Sequence, residues 1–196
     1  MSRTAVAPTV LPILRLGHPA LRTPARALAP AEIRTPNIQT LIDDMVATMV
    51  DSDGIGLAAP QVGEEIQLFI FGVQPTPDEP DPLVPLQIVV NPMIDPEGGE
   101  LVYDWEGCLS IPGLRGLVPR HQALRLRGFD RAGKPVDRRL EGFEARVVQH
   151  EFDHLNGVIF LDRMRDLQSL SYAEEAEEHL SEYDASTPGP GPGFAG

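Results

Sequence analysis

The chain has 196 residues and a formal charge of −13, from 16 Lys and Arg against 29 Asp and Glu, which argues against a surface built to hold nucleic acid. Hydrophobic residues make up 42% of it, enough for one core, while 18 glycines and 20 prolines demand many turns and exclude neither fold class. No apolar run approaches the roughly 20 residues that span a bilayer and no secretory leader opens the chain, so a cytoplasmic protein without a membrane partner is expected.

Residues 1–30 carry Arg3, Arg15, Arg22 and Arg26 and no acid. Prolines from Pro8 to Pro30 would break an amphipathic transit helix, so these arginines are read as flanking ordinary early structure. Thr35 and Pro36 then start a helix whose apolar face is Leu41, Ile42, Met45, Val46 and Met49. Residues 54–61 spell GIGLAAPQ, a glycine-rich turn that lacks the Lys and Ser/Thr of a phosphate loop. Runs 66–73 and 88–90 read as strands on either side of a Pro-rich surface loop, 74–87. Leu124 and Leu126 alternate with Arg125 and Arg127 ahead of a turn at Gly133, a strand that opens a hairpin.

Phe143 to Asn156 reads as a helix stopped by Gly157. Phe143, Val147, His150, Glu151 and His154 share one stripe, Val148, Phe152 and Leu155 another, so the helix should be buried on both. Ser171 with Glu174 resembles a capping box opening a C-terminal helix to Asp184. That helix carries acids at Glu174, Glu175, Glu177, Glu178, Glu182 and Asp184 and no Lys or Arg. The last residues read TPGPGPGFAG, too poor in apolar side chains to fold. A single domain over 1–184 and a disordered tail over 185–196 are expected.

Residues 150–154 spell HEFDH, in which two His at i and i+4 face one way to hold a metal while the Glu reaches a water beside it. Composition alone yields such a run in about one chain in a hundred. A third ligand is needed, and two sources remain open: an acid or His within 174–179, or Cys108 in the WEGCLS segment of residues 105–110. Gln61 has an amide able to donate to an oxyanion, and the backbone around it could pair with an extended peptide. His18, His121 and His179 lack ligand spacing, and Trp105 reads as a packing residue.

Taken together, GIGLAAPQ, EGCLS and QHEFDHLNG resemble the three signature motifs of the peptide deformylases, in order and separation. The likeness runs from about Pro12, through ILRLGHPALRTPA and LVPR, to about Leu167. It implies an α+β fold with antiparallel and mixed β-sheets packed around a buried central helix carrying HEFDH, plus an N-terminal and a C-terminal helix. It implies hydrolytic removal of the N-formyl group from formyl-methionine at the start of newly made polypeptides. The site residues it implies are Cys108, His150 and His154 as metal ligands, Glu151 as general acid and base, and Gln61 with the Leu109 N–H as oxyanion donors. Ile55, Phe143 and Val147 would wall the methionine pocket, with Gly56, Gly107 and Arg115 beside the peptide.

The resemblance also implies one divalent metal ion, Fe(II) by preference, with zinc, nickel or cobalt as substitutes. Arg146 departs from the aliphatic residue common there; it would form a polar rim to the pocket, or point to solvent, or pair with Glu141 or Asp153. Two competing readings are a metallopeptidase with another third ligand and a metal-stabilised module that binds peptide N-termini without turnover. Where some relatives dock on the ribosome through a basic C-terminal helix, this one is acidic, so ribosome contact should be weak and should not use it.

Overall fold

The computed structural model describes residues 7–76, 80 and 82–179. The tail expected over 185–196 and the end of the acidic helix, 180–184, lie outside the described residues. Prolines set the first helices: α1 (Pro30–Ile33) and α2 (Pro36–Asp51) both begin at a proline, whose missing N–H costs nothing there. The α2 face of Ile42, Met45 and Met49 is buried, each side chain worth about 1.5–3 kcal/mol. Thr35 precedes α2 without a side-chain cap bond, because its hydroxyl donates to the Glu32 carbonyl instead.

Residues 56–58, read as part of a turn, form strand β1 (Gly56–Ala58). It pairs with β2 (Leu68–Phe71), which pairs with β3 (Gln87–Cys108). Strand β3 folds back on β4 (Ile111–Phe129), and β4 on β5 (Pro135–Glu141). The β4–β5 turn is closed by the Asp130 and Lys134 backbones with Gly133 at φ 75°. Expected mixed sheets are therefore corrected: all six described strands form one sheet, and every strand pair in it is antiparallel. Parallel contacts are confined to the isolated bridges Arg26–Ile66 and Val73–Pro85.

The sheet carries a layer of buried side chains, among them Phe69, Phe71, Leu124 and Leu140, on which α3 (Gly142–Leu155) lies with Ala145, Val148 and Leu155. Gln149 clamps α3 to β4, accepting the His121 N–H and donating to the His121 carbonyl. Gly157 ends the helix at φ 70°, and a Cβ there would stand 2.6 Å from the Arg22 carbonyl oxygen. A short α4 (Phe160–Arg163) follows.

Ser171 does not cap a helix. It lies in strand β6 (Ser171–Tyr172), paired with Leu114 and Arg115 of β4, and the last helix, α5, starts one residue later (Ala173–His179). Backbone pairing to the β4 edge outcompetes the local cap. At the other end, an extended N-terminal strap is stitched across the molecule. The Thr9 and Leu11 N–H groups donate to Asp44 and Thr48 of α2, Leu14 to the Gln61 carbonyl, and Leu16 to the Ser110 carbonyl.

Candidate active site

Cys108 is the last residue of β3, at the tight connection into β4, and faces α3. The i and i+4 positions of α3 present His150 and His154 from one stripe. The thiol of Cys108 lies 3.3 Å from His154 Nε2, and one ligand atom from each of Cys108, His150 and His154 falls within 4.8 Å of the others. Among the described residues this is the group able to hold a metal ion. Glu174 and Glu175 are exposed and take no part in it.

Between the two histidines Glu151 is 4% exposed, and its Oε2 has no hydrogen-bond partner among the described residues. Burial raises its carboxyl to about 7, partly offset by His150. Space for it exists because residue 56 is glycine: a Cβ there would stand 2.3 Å from Glu151 Oε1. Burial likewise pushes His154 well below the ordinary imidazole value, which keeps it neutral and able to ligate.

Gln61 is 2% exposed and fixed in orientation. Its Oε1 accepts the Ala58 N–H at 2.8 Å, which turns Nε2 toward the Ser110 hydroxyl at 3.2 Å and the Cys108 sulfur at 3.6 Å. A cavity of about 510 Å³ opens over this centre. Ile55, Gly56, Gln61, Gly107, Leu109 and Arg115 line it from the strand side. From α3 it is lined by Phe143, Arg146, Val147, His150 and Glu151. Cys108 lines it too, so every sequence-selected residue except His154 borders one space.

Beneath the centre lies a buried ionic network that the sequence reading did not select. Glu106 accepts from His150 Nδ1 at 2.9 Å, from Arg120 Nε and Nη2 at 2.9 and 3.0 Å, and from Arg146 Nη1 at 2.8 Å. Burial alone would raise Glu106, but the bonds from His150 and Arg120 outweigh it and hold the carboxyl at about 2. Arg120 also donates to Asp153, as does Arg163. A carboxylate on Nδ1 fixes the proton there and leaves His150 Nε2 as the lone-pair nitrogen. The available signal was an acid two residues before Cys108 on a strand, the spacing that puts both on one face.

Arg146 corrects an expectation. It does not reach solvent, being 7% exposed, and it pairs with neither Glu141 nor Asp153. Its stripe of α3 faces the β3–β4 hairpin, so the guanidinium meets Glu106 and the carbonyls of Val102 and Val118. Glu141 pairs with Arg139 instead.

A thiol and two imidazoles converging beside a buried carboxyl whose Oε2 has no partner among the described residues is the arrangement a metal-dependent hydrolase needs. The family model for polypeptide deformylase matches residues 10–170. Peptide deformylase 2 of Bordetella bronchiseptica is 51% identical over 164 residues, 83% of this chain and 92% of that one. Peptide deformylase 1 of Nitrosomonas europaea is 47% identical over 166 residues, 84% of this chain and 93% of that one. Among solved structures, a class I type b peptide deformylase from Acinetobacter baumannii with Met-Ala-Ser bound superposes with a TM-score of 0.73. It is 36% identical and covers 80% of this chain and 99% of its own. The chain belongs to the polypeptide deformylase family.

Proposed function

We propose that residues 1–184 form one catalytic domain, built around the HEFDH helix α3, that hydrolyses the formamide of N-formylmethionyl peptides to formate and a free amine. The observation that carries this reading is the buried Glu151 carboxyl, its Oε2 without a partner among the described residues, beside three ligand atoms that converge within 4.8 Å. A purely structural metal site has no use for it, which disfavours the binding-module reading. Glu174 and Glu175, two of the alternative third ligands that the metallopeptidase reading needs, stand in solvent, which counts against it.

The donor set fits a divalent cation: a soft thiol, a neutral His154, and His150 with its Nδ1 proton fixed by Glu106. When bound by Cys108, His150 and His154, such a cation would supply Lewis acidity, polarising the formyl oxygen and lowering a water's pKa toward about 7. We assign it as Fe(II), with zinc, nickel or cobalt as substitutes. Glu151 Oε2 takes the proton of the attacking water and later delivers it to the departing amine nitrogen; a carboxyl near 7 suits both transfers. Gln61 Nε2, held by Ala58, and the Leu109 N–H donate to the oxygen on which charge develops. The methionine side chain lies against Ile55, Phe143 and Val147, while the Gly56 and Gly107 backbones and Arg115 flank the peptide.

Newly made polypeptides in the cytoplasm are the substrates in this reading, met by diffusion, with ribosome contact weak and not through the acidic C-terminal helix. Among the described residues no helix is long and apolar enough to cross a membrane. The test is anaerobic purification, metal analysis, and formate release from formyl-Met-Ala-Ser with acetyl-Met-Ala-Ser as control. Formate from the first peptide and no cleavage of the second supports the proposal; cleavage of both, or of neither, refutes it.

A further inference from the structure

One charged side chain stands in the walls of two cavities. Besides the 510 Å³ space there is a second cavity of about 220 Å³, with Val102, Asp104, Arg120 and His121 in its wall. Phe143 and Arg146 line both cavities, and no other lining residue is common to the two. Phe143 is 53% exposed, so the interior part of the partition is Arg146.

Arg146 is not a movable gate. Its Nη1 donates to Glu106 Oε1 and to the Val118 carbonyl, both at 2.8 Å, and its Nη2 to the Val102 carbonyl at 2.6 Å. Those acceptors come from β3 and β4, while the Cα belongs to α3, so the side chain is fixed at both ends. Swinging it aside would leave buried acceptors without donors, and the rigid guanidinium fork cannot follow a shifted partner as a lysine could.

We propose that Arg146 is a specificity-determining residue: a fixed partition that limits the length of side chain accepted on the formylated residue, with the second cavity a latent extension of the pocket. This rests on the deformylase reading. On this proposal an unbranched side chain the length of methionine fits on the near side of the partition, and a longer one meets a guanidinium that does not yield. One methylene too many in a closed pocket is worth about tenfold or more in kcat/KM. Removing the partition should join the two spaces and abolish that cut-off, and a lysine, whose flexible stem can follow a shifted partner, should weaken it.

The experiment uses the metal-loaded enzyme and formyl-X-Ala-Ser peptides in which X is methionine, norleucine, 2-aminooctanoic acid or 2-aminodecanoic acid. Calorimetric binding of the matching unformylated peptides gives a readout independent of turnover. For the unsubstituted enzyme, kcat/KM and affinity should fall about tenfold or more between norleucine and 2-aminooctanoic acid. In Arg146→Ala that ratio should shrink to about threefold or less, and in Arg146→Lys it should fall between those of the Ala variant and the unsubstituted enzyme. If Arg146→Ala does not melt cooperatively, Arg146→Leu replaces it, since a shorter apolar side chain also opens the partition. An Ala or Leu variant that folds, binds Met-Ala-Ser and keeps the original length ratio overturns the proposal, as does an unsubstituted enzyme with no cut-off. Lack of formate release from formyl-Met-Ala-Ser by the unsubstituted enzyme would instead overturn the deformylase reading itself.

Discussion

Glu106→Gln should separate what the buried network does for the fold from what it does for the metal. The carboxylate accepts from Arg120 Nε and Nη2, Arg146 Nη1 and His150 Nδ1, all between 2.8 and 3.0 Å, with the Arg120 and Glu106 side chains each 5% exposed. A glutamine keeps one acceptor oxygen but turns an NH₂ toward donors on the other side. Charged hydrogen bonds are worth about 1.5–3 kcal/mol each, yet the losses are not additive, because Arg120 retains Asp153 and Arg146 retains its carbonyls. A cost of about 3 kcal/mol, the low end for breaking a buried ion pair, is the reasoned figure. For a chain of this size that lowers Tm by roughly 6–12 °C. Metal affinity should drop separately by about 10- to 100-fold, as expected when the carboxylate behind a ligating histidine is lost. Thermal melts of the metal-free protein measure the first effect, and chelator competition at neutral pH the second. A variant melting within 1 °C of the parent, or holding metal within about twofold of it, would show that Glu106 does not organise the site as argued.

Cys108→Ser should bind at least tenfold less metal under chelator competition while retaining its cooperative melt, because a hydroxyl is not a thiolate; undiminished metal content would move the third ligand elsewhere. Gly56→Ala should cost about 10²-fold in kcat/KM, since its Cβ would stand 2.3 Å from Glu151 Oε1 and must displace the carboxyl. Unchanged kinetics for a folded variant would remove Glu151 from the chemistry. Acid stability should respond to Asp162. Burial pushes its carboxyl up, but Arg22 and the Ile159 N–H outweigh this and hold it below the ordinary value. Its contribution is therefore complete above the unfolded value near 3.9 and disappears as pH falls through the lower folded value. The Arg22 pair is half exposed, so Asp162→Asn should cost no more than about 1 kcal/mol at pH 7. Urea midpoints should converge with the parent as the pH drops to 3, and a gap that widened toward acid would reverse the sign assigned here.

The chemistry of the site was legible because much of it is local. His150 and His154 share a face through helical spacing alone, and Glu151 lies between them. Cys108, far from them in sequence, was one of two candidate sources for the third ligand, and the family resemblance selected it. The β3–β4 hairpin was visible only in fragments. Pro92, Pro96, Pro112 and Pro119 interrupt its alternation, and pairing accommodates irregularity through register shifts at Val90/Met93, Glu97/Leu101 and Gly107/Cys108. Arg146 and Glu106 could not be paired by inspection, since the first lies on a helix, the second on a strand, and tertiary packing alone brings them together. Ser171 shows the reverse failure: a complete local cap signal lost to an available strand edge.

The N-terminal strap determines when this protein can become competent during synthesis. Leu14 needs the Gln61 carbonyl and Leu16 the Ser110 carbonyl, while Cys108 must await His154. At about 5–20 residues per second, roughly 7–30 s separate the appearance of the strap from that of the last ligand. The contacts that bring Cys108 to His154 and Glu106 to His150 are long-range, so no early fragment holds a working half-site. Competence arrives only once α3 has been made, and a chain cut anywhere between the strap and α3 carries none of it.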